Sequence, residues 1–391
     1  MIHVILRARS RTLRHWWEAS GDSSSLHIAK AEHMKSPTTH FSGPIFLCGT
    51  SRSGTSVLQA ALECHTAVRI AGETHYFDDL RVALGIAALS EPVEGATQKR
   101  VEDYFLALSH RPFGHGGDPE KGWMQRDALR KRALELGGRP DDYFEAFCRE
   151  WAARSEAPIW GEKTPRHVFR LTEMLTRYPE SKAIFMLRDP RAVVASYRDW
   201  KNQGGFDLEK DPGHAQTMAE DEARARRSYH PITISLLWVA AARAAQQAQD
   251  RFGFERVRLQ RYEAMCDQPE AELGAIFDWL GIERPASMAN VPVRNSSYEK
   301  FAATGGFVRS AMDRWMKTLS PAEISVVERS CGKSLALAGY QSASPAASIL
   351  ATTPYYCSAL PAVIRATYVN AKRSGNLPQY IARRSRLILG L

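Results

Sequence analysis

Pro44-Ile-Phe-Leu-Cys-Gly49-Thr-Ser-Arg52-Ser-Gly54-Thr55-Ser56 is the stretch that decides the fold. Its first half, Pro44–Gly49, is a short apolar run ending in glycine, the pattern of a strand buried on both faces of a parallel sheet. Its continuation, Thr55–Cys64, sets Val57, Leu58, Ala61 and Leu62 at helical spacing. The Gly-x4-Gly turn between them suits anion capture. Glycines at 49 and 54 let backbone N–H groups turn inward, and a helix N-terminus adds partial positive charge. A nucleotide triphosphatase carries lysine after the second glycine; here that position is Thr55, and Arg52 inside the loop supplies the charge instead. The loop alone is weakly specific, because a tight strand–helix connection without a ligand uses the same glycines.

Moving outward, apolar runs at Ala157–Trp160, Lys182–Leu187 and Val257–Leu259 alternate with helical stretches. Strands alternating with helices imply an α/β chain with a mostly parallel sheet covered on both faces. Residues 99–155 and 200–250, rich in Ala, Arg and Glu, read as helical insertions. The run Lys182-Ala-Ile-Phe-Met-Leu-Arg188-Asp-Pro-Arg191-Ala-Val-Val-Ala-Ser196-Tyr197 is a strand emptying into Arg188, with a helix starting at Pro190. Proline suits that first helical position, where its missing N–H costs nothing. Arg188 and Ser196, two turns apart, can grip a second phosphate. Arg191 in the first turn opposes the helix dipole unless an anion lies nearby, the alternative being an ion pair with Asp189.

The 391 residues, 44% apolar and 24% charged, exclude a disordered or fibrous chain. The most apolar stretch, Ile232–Ala242, stops at Arg243 and is too short to span a bilayer. Arg7, Arg9, Arg11 and Arg14 are followed by no apolar core of the kind a secretory signal needs. Six scattered cysteines without a C-x-x-C pair argue against a zinc module and a disulfide framework, and suit a reducing, cytoplasmic compartment. The net charge of +9 belongs to the ends: residues 1–40 contribute +3, residues 343–391 contribute +6 and no acid, and 41–342 balance. That placement points away from a nucleic-acid stripe. It divides the chain into a basic extension (1–40), a central domain (41–342) and a basic helical tail (343–391) broken by Pro354, Pro361 and Pro378.

Taken together, these residues resemble the sulfotransferase family that uses 3′-phosphoadenosine 5′-phosphosulfate (PAPS), with most similarity to its carbohydrate and protein-tyrosine branch. The family's Arg-Ser-Gly-Thr-Thr loop appears as Arg52-Ser-Gly-Thr-Ser56, with Ser56 a departure that keeps the hydroxyl. Its Arg-Asp-Pro-Arg…Ser element appears as Arg188 to Ser196, its Gly-Glu-Lys-Thr-Pro segment as Gly161–Pro165, and Gln260-Arg-Tyr-Glu263, Trp279-Leu-Gly-Ile282, Trp315 and Gly339-Tyr340 match its later segments. The resemblance covers about residues 44–340. It implies a P-loop NTPase-like three-layer fold with a central sheet flanked by helices, plus helical insertions. It implies that Arg52, Ser53, Gly54, Thr55 and Ser56 bind the 5′-phosphosulfate of PAPS, and that Arg188 and Ser196 hold its 3′-phosphate. Arg309 and Ser310 fall where relatives close a loop over the nucleotide. In relatives a glutamate about twenty residues after the loop arginine acts as general base, a spacing that falls on Glu73. Lys163 corresponds to a cation that stabilises the sulfuryl group.

Sulfuryl transfer is an in-line displacement with charge moving onto the leaving oxygen, so it asks for positioning, cations and a base on the acceptor hydroxyl. Sulfate carries less charge than a phosphate monoester, so Arg52 and Lys163 can serve without a metal. His75, His110 and His115 are alternative bases. Glu162 can pair with a neighbouring cation, and His167 can cap the helix after Pro165. The expected acceptor is a hydroxyl-bearing glycan or glycolipid in preference to a protein, with Phe77, Trp123 and Trp200 available to stack on it. A tyrosine or phenol acceptor and a P-loop small-molecule kinase are the alternatives. The basic tail, with Arg383, Arg384 and Arg386 among Ile381, Leu387, Ile388 and Leu389, suits peripheral contact with the inner face of a membrane, at about 1 kcal/mol per cation.

Overall fold

A computed structural model describes residues 41–85, 89–111, 117–200, 212–285, 306–343 and 347–374. The extension 1–40, His115 and residues 375–391 lie outside the described residues. The chain runs β1 (Ile45–Gly49), α1 (Thr55–Leu62), β2 (Val68–Ala71), α2 (Leu80–Leu84), α3 (Gly95–His110), α4 (Arg126–Leu136) and α5 (Pro140–Ala153). It continues through β3 (Ile159–Lys163), α6 (Leu171–Arg177), β4 (Lys182–Leu187), α7 (Pro190–Arg198), α8 (Pro212–Ser228), α9 (Pro231–Phe252) and β5 (Val257–Arg261). It closes with α10 (Tyr262–Asp267), α11 (Pro269–Leu280), α12 (Trp315–Thr318), α13 (Pro321–Cys331), α14 (Lys333–Leu337) and α15 (Ile349–Ser374). Short 3-10 turns cover Pro165–Arg170 and Arg309–Ala311.

The five strands form one parallel sheet in the order β2-β3-β1-β4-β5. β1 shows why the apolar run reads as buried on both sides. Phe46 and Cys48 face one core with Trp160 and Phe185, while Ile45 and Leu47 face the other with Ile184 and Met186. Helices α1, α10 and α11 cover the second face, and α5, α6, α7, α9 and α13 cover the first. The result is the three-layer α/β sandwich expected of the sequence, with helical insertions after β2 and after β4.

Topology places the site. Chain order passes β1 in opposite directions, so the helices after β1 and β4 pack on opposite faces and the loops leading to them meet at the carboxyl edge, where ligands bind in open parallel sheets. The register pairs Gly49 with Met186, Leu47 with Lys163, Ala71 with Glu162 and Leu187 with Arg261, which brings all five strand ends to one edge.

One expectation needs correction. Pro354 and Pro361 do not break the tail; α15 runs through both. Each proline removes one helical hydrogen bond, to the carbonyl four residues before it, on Leu350 and Cys357, and both residues lie on the exposed side of the helix. Among the described residues no helix is long and apolar enough to cross a membrane.

Candidate active site

The loop leaving β1 turns on two left-handed residues, Arg52 (φ 72°) and Gly54 (φ 98°). Gly54 has a second reason to be glycine: an added Cβ would lie 2.5 Å from the Tyr262 ring. The Ser53 N–H donates to the Thr50 carbonyl (3.0 Å), closing the turn. The Ser53 hydroxyl is buried without a protein partner. A buried polar atom left so, in a loop that opens a helix, fits a bound anion.

The β4 element meets this loop directly. Arg52 Nε donates to Ser196 Oγ at 3.2 Å, and Arg188 Nη1 donates to the Arg52 carbonyl at 2.9 Å. Arg188 lies over the Tyr262 ring (4.3 Å), donates to the Ala311 carbonyl (3.0 Å), and its own carbonyl accepts from Trp238 Nε1 (2.8 Å). The Arg52 guanidinium also sits 5.9 Å from the Trp200 ring centre. Residues separated by 136 and 144 positions in sequence thus form one cationic cleft.

Arg191 belongs elsewhere. Its guanidinium is held by Asp189 (2.7 Å) and Glu328 (2.7 Å) and lies over Trp315 (4.1 Å). Asp189 also accepts from the Arg191 N–H (2.8 Å), capping α7. The ion-pair reading of Arg191 is the one realised.

On the other side of β1, the β3 end carries the second cluster. Lys163, 4% exposed, donates to Glu73 Oε1 at 2.7 Å, and His75 Nε2 lies 3.4 Å from Glu73 Oε2. Burial pushes the Glu73 carboxyl up, but Lys163 and His75 outweigh it and hold the group well below the usual carboxylate range. Behind this pair, buried Glu162 accepts from the Thr74 N–H (3.1 Å), Thr74 Oγ1 (2.8 Å) and Thr164 Oγ1, and contacts His167 Nδ1 (2.9 Å). Against its burial, His167 and these hydroxyls hold Glu162 below the usual range as well. The sequence suggested a cation partner for Glu162 and a capping role for His167; instead they fasten Glu73–His75 to the end of β3.

The remaining expectations divide. Thr55 is buried at the start of α1, with Ser56 half-buried beside it. The 3-10 turn at Arg309–Ala311 touches the cleft through the Ala311 carbonyl, but Arg309 itself is 73% exposed and paired with Asp267 (2.6 Å). His110 accepts from the Asp118 N–H (2.8 Å). Phe77 is core, packed on Phe144 and His167, and Trp123 packs on Trp151 under Arg154; neither stands with Trp200 at the cleft. Tyr262 was missed as the floor of the loop, although an aromatic placed one residue beyond a strand end is a usable signal.

Comparison with known proteins gives the family. The profile of the Sulfotransferase family matches residues 44–286. The chain is 23% identical over 266 residues to Nodulation protein NoeE of Sinorhizobium fredii (strain NBRC 101917 / NGR234), covering 66% of this chain and 55% of that protein. It is 27% identical over 160 residues to a putative protein-tyrosine sulfotransferase of Caenorhabditis briggsae, covering 40% of this chain and 44% of the other. The chain therefore spans about half the length of the curated relatives it matches. Among solved structures, it is similar to the sulfotransferase domain of the Synechococcus PCC 7002 olefin synthase (17% identity, TM-score 0.43, covering 78% of this chain and 96% of that one). It is also similar to the sulfotransferase domain of the curacin biosynthetic pathway (16% identity, TM-score 0.45, covering 76% and 98%).

Proposed function

We propose that this chain, which belongs to the sulfotransferase family, moves a sulfuryl group from PAPS to an acceptor hydroxyl, with residues 41–342 as the transferase unit. The observation that carries the reading is the Arg52–Ser196 contact at 3.2 Å, which brings together the two loops whose sequences suit anion binding. Bound PAPS supplies an activated sulfuryl group on a phosphate leaving group. The Arg52–Ser56 loop holds its 5′-phosphosulfate through backbone N–H groups and the orphaned Ser53 hydroxyl. Arg188 and Ser196 hold the 3′-phosphate, and the backbone of Arg309 and Ser310 borders it. Arg52, Arg188 and Lys163 supply the positive charge that the transfer requires.

Glu73 takes the proton from the acceptor hydroxyl. Its low pKa suits a resting state in which Lys163 neutralises it; drawing the ammonium toward the reacting group frees the carboxylate as the base is needed. His75, 3.4 Å away, is the alternative base within the same cluster. The cleft-side Trp200 offers a flat face to a sugar ring, so we favour a carbohydrate or glycolipid acceptor over a tyrosine. The cysteines carry no disulfide, which supports a reducing, cytoplasmic setting. Incubation with 35S-labelled PAPS and a panel of glycans, glycolipids and tyrosine peptides tests the reading: label on a carbohydrate is expected. Label on a peptide alone would overturn the acceptor class, and label on nothing would overturn the activity.

A further inference from the structure

The outward face of α15 is apolar where a surface helix is ordinarily polar. Eleven large hydrophobic side chains are exposed among the described residues, and seven of them lie on this one helix: Ile349, Leu350, Tyr356, Leu360, Val363, Ile364 and Tyr368. On a helical wheel they fall on a single stripe, with Cys357 and Thr353 between them. Twenty residues at 1.5 Å rise make that stripe about 30 Å long.

The opposite face is fastened to the domain. Thr352 Oγ1 accepts from Arg329 (3.0 Å), Ser358 Oγ meets His230 (3.2 Å), and Asn370 bonds both Ser228 (3.0 Å) and Arg224 (2.9 Å). Buried Ala362 packs inward, and Arg365 donates to the Arg227 carbonyl (2.9 Å). The stripe is therefore a surface of the folded body. The helix belongs to a basic stretch of sequence: residues 343–391 hold six Lys/Arg and no acid.

We propose that α15 seats the enzyme on an anionic lipid surface. Leu360, Val363 and Ile364 enter the acyl boundary, and Tyr356 and Tyr368 lie at headgroup depth. An apolar stripe needs apolar cover, and a C-terminal segment that is basic and acid-free in sequence favours a negative surface, a combination that fits a bilayer interface. A helix lying in that plane needs no spanning length. The contact would bring the transferase to lipid-linked hydroxyls, but it stands without that reading.

Cosedimentation of the full chain with phosphatidylserine/phosphatidylcholine vesicles, and with pure phosphatidylcholine vesicles, tests it. Binding to the anionic vesicles is expected, at least tenfold weaker on neutral ones, and weakened at least tenfold in Leu360→Glu/Ile364→Glu. Leu134→Glu, an exposed site on α4, serves as control and keeps wild-type binding. Equal binding to neutral vesicles, no binding, or an unaltered double variant would overturn the proposal. So would a dimer in sedimentation velocity that the double variant dissolves, since the stripe then covers a second copy. A thermal shift with 3′,5′-ADP equal to wild type shows that the variant is folded, and keeps failure here separate from failure of the enzyme assignment.

Discussion

Lys163→Met removes the ammonium at the centre of the β3 cluster and keeps most of the side chain's bulk. At 2.7 Å and an effective dielectric near 20, opposite unit charges attract by about 6 kcal/mol before desolvation. Burial of both partners cancels most of this, and Glu73 keeps enough exposure to be hydrated or protonated once alone. We therefore expect a stability loss of only about 1–2 kcal/mol, visible as a modest drop in urea midpoint. Turnover should suffer far more, by roughly 10²–10³ in kcat, the cost of losing one transition-state electrostatic donor. Affinity for 3′,5′-ADP should stay close to wild type, because Lys163 touches neither phosphate element. The pH–rate profile separates roles: without the cation the Glu73 pKa rises, so the acid limb of kcat/KM moves to higher pH. Labelled-sulfate transfer at several pH values reads both. Turnover within about tenfold of wild type, or an acid limb that does not move, would refute the pairing of Lys163 with the base.

Glu73→Gln keeps the shape and loses the proton acceptor; we expect kcat to fall by about 10²–10⁴ with the fold intact by circular dichroism. The converse outcome, full activity in Glu73→Gln and none in His75→Ala, would transfer the role to His75. Gly54→Ala should cost about 1–3 kcal/mol and abolish nucleotide-induced thermal stabilisation, since the left-handed φ and the Tyr262 ring both oppose a Cβ. Retained stabilisation would show that the ring yields. Glu162 has a folded pKa below its unfolded one, so the unfolded chain binds more protons and stability is lost as pH falls through and below the ordinary carboxylate range. Urea midpoints measured between neutral and acid pH should show a steeper acid loss for wild type than for Glu162→Gln, and parallel curves would count against the network.

The two strand–loop–helix elements proposed to hold anions were legible because each is local: strand, loop and helix start follow one another within a dozen residues. The same holds for the alternation of Ile45, Phe46, Leu47 and Cys48 between two cores. Long-range pairings were not. The Asp189 partner of Arg191 is two residues away and readable, but its second partner, Glu328, is 137 residues away and no spacing near Pro190 reports it. Glu162 looked like a neighbour of Lys163, yet in a strand consecutive side chains point to opposite faces, so it turns into the core toward Thr74 and His167. Tyr262 stands in the sequence only as part of a motif, because its closeness to Gly54 arises from β5 lying two strands from β1. The prolines of α15 misled for a different reason. Each costs one hydrogen bond and crowds the carbonyl four residues back, yet the helix continues because its other face is fastened to the domain.

The claim on which the rest depends is that the loop after β1 and the element after β4 hold one bisphosphorylated nucleotide between them. Isothermal titration of the wild-type chain with 3′,5′-ADP, 5′-AMP and ADP–Mg²⁺ tests it most directly. We expect 3′,5′-ADP to bind at a stoichiometry of one and at least tenfold more tightly than either competitor, a preference lost in Arg188→Ala. Equal affinity for 5′-AMP, or tighter binding of ADP–Mg²⁺, would contradict it.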